Sequence, residues 1–339
     1  MSTSVREERE RRRRRFLLKL SVSGGLLALL FILLPWSEVR DAATRLSPRV
    51  WLTVFALFVV GHQIGVIKWR ALVNASNAKL SVFDATRAYF AGLFANLYLP
   101  SIVGGDVLRG TIVGRSTGRP EAAILGGVAD RVLDIATMGV LITGGAIALR
   151  GALPEWGSQV LTILLIAGLL ASAIFLPLLL RRPLAQWPRR FRRPIARSLV
   201  ALRRLAKSPG SAALALTLSL VIQSLFVVLN AWMGRVIGVD VPLAVWFVVW
   251  PLAKIAGLMP ISLGGIAVRD AALAGLLAPF GVELAIGAVA GLLWQTVNMA
   301  GGLFGGLVWW IMSRSAKRVP GHGRLTDIYT PAQPARPRG

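Results

Sequence analysis

Six apolar runs, at 16–36, 50–67, 132–149, 158–180, 211–233 and 284–312, are each long enough to cross the hydrocarbon layer of a bilayer. That layer is about 30 Å thick and takes roughly 20 helical residues. In hydrocarbon every backbone N–H and C=O must find its partner within the chain, so such runs form α-helices. The sequence therefore predicts an all-α polytopic integral membrane protein with six full spans.

Composition agrees, with 55% of residues apolar and 16% charged. Lys and Arg outnumber Asp and Glu by 39 to 15, but the basic residues sit in short blocks between the apolar runs, which argues against a nucleic-acid partner. A chain without Cys forms no disulfide or thiolate nucleophile. Its two His and few acids offer little for metal chemistry, so no metal and no cofactor is expected.

The basic blocks orient the chain. Residues 1–15 form an Arg-rich arm before the first span, which lacks a small-residue cleavage site and reads as an uncleaved anchor. The connection 181–207 carries ten Lys and Arg and no acid, which places it in the cytoplasm. Lys68, Arg70 and Lys79 in a further connection, Arg115 and Arg119 in another, and Arg314, Lys317 and Arg318 near the end agree. The connections 37–49, 150–157 and 234–242 hold balanced charge and face outward. Both termini are thus expected in the cytoplasm of a bacterial inner-membrane protein, with a transmembrane domain over 16–318 and a disordered tail over 319–339. The arms are expected to lie on anionic lipid headgroups.

Two further apolar stretches, 82–99 and 243–259, are each followed by a break. Pro100, Gly104, Gly105 and Arg109 recur as Pro260, Gly264, Gly265 and Arg269, with identical spacing 160 residues later. Proline stops the incoming helix, glycines permit a sharp reversal, and a second half-helix begins near 106 or 266. Counting crossings, the unit 50–149 enters its break from the cytoplasm and the unit 211–312 from outside. The expected architecture is six spans plus two interrupted helix pairs in an inverted-topology repeat, an arrangement suited to alternating access.

At each break the free N–H groups of the second half-helix and the following arginine make a candidate anion site. Arg109 and Arg269 would grip a lipid phosphate bidentately, with Gly104, Gly105, Gly264, Gly265, Asp106, Asp270 and Lys254 around it. Alternatively Arg109 pairs with Asp106, and Arg269 with Asp270, to neutralise buried charge for the fold alone. On the first of these readings Arg109→Gln would strand Asp106. Asp130, Arg131 and Asp134 are candidate gating or proton-binding groups, or else a structural ion-pair cluster. His62, Gln63, Asn96, Gln223, Asn230, Gln295 and Asn298 are expected to make interhelical hydrogen bonds. Gly301, Gly302, Gly305 and Gly306 form a close-packing face for the bundle or for a homodimer.

These motifs resemble the flippase-like family that includes the transmembrane region of lysylphosphatidylglycerol synthases. The residues that carry the likeness are Lys68-Trp69-Arg70, the block from Leu99 and Pro100 to Arg109, Asp130-Arg131 with Leu133, and the block from Met259 and Pro260 to Arg269-Asp270. The family often has Glu after the second arginine, where this chain has Asp270. The resemblance implies a transporter that moves an amphipathic or lipid-linked substrate between leaflets. Members that transfer amino acids carry a large soluble domain after the membrane region, so lysyl transfer is not expected. The rival readings are a membrane-embedded transferase using Asp106, Asp130 or Asp134 as base, and a non-catalytic partner of a lipid enzyme.

Overall fold

A computed structural model of the protein describes residues 36–98, 104–149, 207–257 and 266–316, with the isolated positions 196, 200 and 203. The predicted spans 16–36 (apart from Trp36) and 158–180, nearly all of the loop 181–207, both terminal arms, and Pro100, Pro260, Gly264 and Gly265 lie outside these residues.

Among the described residues the chain is helical, with no strand. A short helix, α1 (Trp36–Arg45), packs on the last helix of the bundle. The first unit follows as α2 (Pro48–Asn74), α3 (Val82–Tyr98), α4 (Gly104–Thr117) and α5 (Pro120–Ala148). The second repeats the order as α6 (Pro209–Val236), α7 (Leu243–Gly257), α8 (Ile266–Leu277) and α9 (Leu284–Ala316). Long, half, half, long is the pattern in both. The long helices α2, α5, α6 and α9 are long and apolar enough to cross a membrane. They coincide with four of the six expected spans.

Three of the four long helices open with proline in the first turn, Pro48, Pro120 and Pro209, where a missing N–H leaves no helical bond unmade. Ser47 caps α2, accepting from the Val50 N–H at 3.4 Å. The half-helices α3 and α4 have 17 and 14 residues, about 25 and 21 Å, too short to span alone. They fold back on each other. Gly105 lies against Asn96 and Arg109 against Gly92, so numbers rise on α4 as they fall on α3. The pair is a re-entrant hairpin, and the second half-helix begins at Gly104, two residues before the expected start. Helices α7 and α8 repeat the arrangement, with Arg269 over the Trp250 ring.

The inverted repeat is visible in side-chain pairings. Phe58 stacks on Phe226, Gly61 abuts Leu225 and Phe226, Lys68 bonds Ser219, and Leu72 clusters with Ala215. Residue numbers rise along α2 as they fall along α6, so the first helices of the two units are antiparallel. Each hairpin bridges the two units, its second half-helix packing on its own unit's last helix (α4 on α5, α8 on α9). The first unit's α3 packs on the second unit's α9, and the second unit's α7 packs on the first unit's α5.

One expectation about a connection needs correction. Lys68 and Arg70 belong to α2, which runs on to Asn74, and not to a cytoplasmic connection. Hydropathy ends the span at the first charge, whereas the backbone ladder continues because the Lys68 charge is met inside the bundle. Arg70 closes the turn that follows, its Nε donating to the Leu80 carbonyl at 2.8 Å. Within the connection 37–49, the residues up to Arg45 belong to α1.

The glycine face of α9 is filled by this chain's own helices. A side chain at Gly301 would meet Phe58 of α2, one at Gly302 Leu97, one at Gly305 the Phe90 carbonyl, and one at Gly306 the Phe94 ring, the last three on α3. Of the two uses expected for that face, the bundle takes it, and a dimer through Gly301 and Gly305 has no free surface there. Apolar side chains such as Leu57, Val60, Val140, Ile147, Val221, Leu303 and Leu307 point outward instead. Lys68, Ser219, Gln223, Asn230 and Asp270 point inward. This inside-out polarity suits a bundle solvated by lipid.

Candidate functional site

At the first break, α3 and α4 bring four residues together. The Arg109 guanidinium lies over the Tyr89 ring, 4.3 Å from its centroid, and 5.5 Å from that of Trp69. Gly92 makes the room, since a Cβ there would occupy the path of the Arg109 side chain. The expected partner, Asp106, is 3.9 Å from Arg109, a loose contact. Asp106 is instead held by Arg131 of α5. Among the described residues two buried donors here, the guanidinium's own Nε and the neighbouring Trp69 Nε1, have no hydrogen-bond partner.

The helix start contributes less than expected. The Gly105 N–H donates to Asn96 Oδ1 at 3.1 Å, and Asp106 sits in the first turn of α4, so a side chain and a carboxylate already answer the helix's positive end. Gly105 is required for this closure, because a Cβ would meet Asn96 Oδ1 and, at 2.6 Å, the Gly92 carbonyl. Among the described residues the more weakly paired positive group at this break is Arg109 rather than the helix start.

The second break is built differently. Arg269 donates from Nε and Nη2 to Asp270 Oδ1 at 2.8 and 2.7 Å, and from Nη2 to Gln295 Oε1 at 3.1 Å. Its charge is met locally, as in the fold-only reading of that motif. Asp270 is 2% exposed and rests on Gly291, where a Cβ would come within 2.9 Å of it. The Trp250 ring under Arg269 also carries a buried indole N–H without a partner.

Between the arginines runs a column of rings. Tyr89 donates to or accepts from His62 Nδ1 at 3.1 Å, and His62 packs on Phe58 and Phe226. Both of those rings touch Trp294, which meets Trp250 edge-on. The rings form a continuous run of contacts from the Tyr89 ring under Arg109 to the Trp250 ring under Arg269.

Asp130 and Asp134 meet at a residue assigned from sequence to a loop. Lys68 Nζ lies 2.8 Å from Asp130 Oδ1 and 2.7 Å from Asp134 Oδ1, and donates to Ser219 Oγ at 3.0 Å. Arg131, although between the two acids in sequence, turns the other way to Asp106. Lys254 finds a partner on α6, donating to Gln223 Oε1 at 2.9 Å. Sequence reasoning missed Lys68 and Ser219. The available signal was that the helical pattern runs six residues past Lys68, and that Ser219 and Gln223 are four apart on one face of α6.

A family model of the lysylphosphatidylglycerol synthase TM region matches residues 16–306. The chain belongs to that family. No curated protein and no solved structure matched. For this member of the lysylphosphatidylglycerol synthase TM family, the matched stretch takes in both hairpins, the Lys68 cluster and Lys254. The glycine face of α9 ends the match at Gly306.

Proposed function

We propose that this family member is a flippase-like transporter of the bacterial inner membrane, with both termini cytoplasmic. It moves a phospholipid or other phosphate-bearing lipid between leaflets by alternating access, and it does so as a transporter rather than an enzyme. Its partners are membrane lipids, anionic ones above all.

The observation that carries the reading is the state of Arg109. A guanidinium packed against Tyr89 and Trp69, whose Nε and neighbouring indole N–H have no acceptor among the described residues, suits an acceptor-rich anion. A phosphate supplies several acceptor oxygens and the opposite charge. Lys254, paired among the described residues with the neutral Gln223 amide, is the second anchor. Arg269 is different in kind, since Asp270 already neutralises it. The inverted repeat supplies the machinery, with two hairpins bridging antiparallel units that can rock.

The transferase reading draws less support. Asp130 and Asp134 share Lys68, and Asp106 holds Arg131, so each candidate base is engaged by a cation.

Leaflet exchange of fluorescent phosphatidylglycerol or a polyprenyl phosphate in proteoliposomes tests the proposal. Arg109→Lys keeps the charge but loses the planar fork, and Arg109→Gln loses both. A charge-assisted hydrogen bond is worth about 1.5–3 kcal/mol, so exchange should slow by roughly 10- to 100-fold in the Gln variant, with Lys between it and wild type. Contrary to the expectation from sequence, Arg109→Gln should fold, because Asp106 keeps Arg131. Wild-type exchange by well-folded Arg109→Gln would sink the headgroup assignment.

A further inference from the structure

The Lys68 cluster has a charge imbalance that the headgroup site does not use. The Lys68 ammonium donates to Asp134 Oδ1 at 2.7 Å and to Ser219 Oγ at 3.0 Å and forms an ion pair with Asp130 at 2.8 Å, while Asp130 Oδ1 accepts no hydrogen bond among the described residues. The Ser219 hydroxyl in turn donates to Asp134 Oδ1 at 2.9 Å. One cation thus serves two carboxylates on successive turns of α5. The group carries one formal negative charge within a membrane-spanning bundle, where an uncompensated charge is expensive.

A second cation is held by the next turn of α6. Ser219 and Gln223 stand four apart, so their Cβ atoms lie about 6 Å apart on one face of the helix. Ser219 holds Lys68 and Asp134; Gln223 holds Lys254. Among the described residues Lys254 forms no ion pair of its own, and it lies within electrostatic range of both Asp134 and Asp130. The charged and titratable groups that face the acid pair are Lys68 from α2, Tyr89 from α3, Arg109 from α4 and Lys254 from α7, with the Ser219 hydroxyl from α6. The Asp134 side chain is 28% exposed and that of Asp130 15%, against 4% for Lys68, so the acids are less fully enclosed than the lysine.

We propose that Asp130 and Asp134 are a proton-binding site linked to the anion site at Lys254, so that the lipid phosphate and a proton are carried together. The proposal rests on the transport reading above. When a phosphate engages the Lys254 ammonium, the positive charge that balanced the acid pair is committed elsewhere. A proton from water then adds to one of the two carboxylates, forming an O–H bond and restoring neutrality. Release of the phosphate on the other side returns Lys254 to the pair, and the proton leaves. Linkage is reciprocal, so protonation strengthens anion binding by the factor by which the anion strengthens protonation.

The test uses full-length protein in proteoliposomes with trace fluorescent phosphatidylglycerol, an imposed pH gradient and the membrane potential clamped with valinomycin and potassium. One proton per lipid drives the probe toward the alkaline side, approaching about ten-fold asymmetry between leaflets for each pH unit, since a tenfold ratio corresponds to about 1.4 kcal/mol. Asp134→Asn and Asp130→Asn each mimic the neutral, protonated acid. Monodisperse preparations of either should therefore move the probe, but to equal distribution whatever the gradient. Equal distribution by the wild type under the gradient overturns the proton linkage and leaves the transport reading standing. Absence of any wild-type exchange overturns both. Asymmetry retained by both asparagine variants, or inactivity of both when well folded, also counts against the acid pair.

Discussion

Replacing Lys68 with Met removes the one ammonium shared by Asp130 and Asp134 while keeping an unbranched side chain of similar length. The lysine is 3% exposed, and its charge lies 2.8 and 2.7 Å from the two carboxylate oxygens. Without it, two like charges remain one helical turn apart in a largely desolvated place, steadied by the Ser219 hydroxyl and the more distant Lys254. Stripping one partner from a buried ion pair destabilises by about 3–5 kcal/mol. That is a loss of roughly two to nearly four orders of magnitude in the folded-to-unfolded ratio. The triple variant Lys68→Met, Asp130→Asn, Asp134→Asn removes cation and anions together and should recover most of the loss, since replacing both partners of a buried pair is often neutral. Unfolding of purified protein in mild detergent, titrated with a denaturing detergent and followed by Trp fluorescence, measures both. A Lys68→Met variant within about 1 kcal/mol of wild type, or a triple variant no better than the single one, would refute the view that Lys68 neutralises this acid pair.

The close-packing face and the orientation can be checked separately. Gly301→Leu should force Phe58 out of a site where it is 2% exposed, and overpacking of this kind should lower stability by about 1–3 kcal/mol in the same titration. An unaltered unfolding midpoint would mean that α9 and α2 are not packed this closely. Because the chain has no Cys, single cysteines at positions 2, 195 and 325 report orientation cleanly. All three should be shielded from an impermeant thiol reagent in intact spheroplasts, and labelling of any from outside would reverse the topology.

Sequence alone determined the features that depend on local pattern. A long apolar run must be helical in lipid whatever it packs against, so α2, α5, α6 and α9 were legible from hydropathy. The recurrence of proline, paired glycines and arginine revealed the two hairpins and their inversion, because those residues act on the backbone where they stand. Which charge meets which was not legible. Arg109 and Arg269 occupy the same place in the repeat, yet one is loosely paired and the other neutralised, because Arg131 arrives from α5 to hold Asp106 while Asp270 adjoins its own arginine. Lys68 read as the end of a span until α5 and α6 packed against it with two carboxylates and a hydroxyl. The Gly301 face suited a dimer or the bundle equally well, and the arrival of Phe58 and α3 decided it. The physical reason is the same in each case. A side chain's charge or surface is fixed by its residue type, but its partner comes from another helix, and only the packing of the two inverted units brings that helix to it.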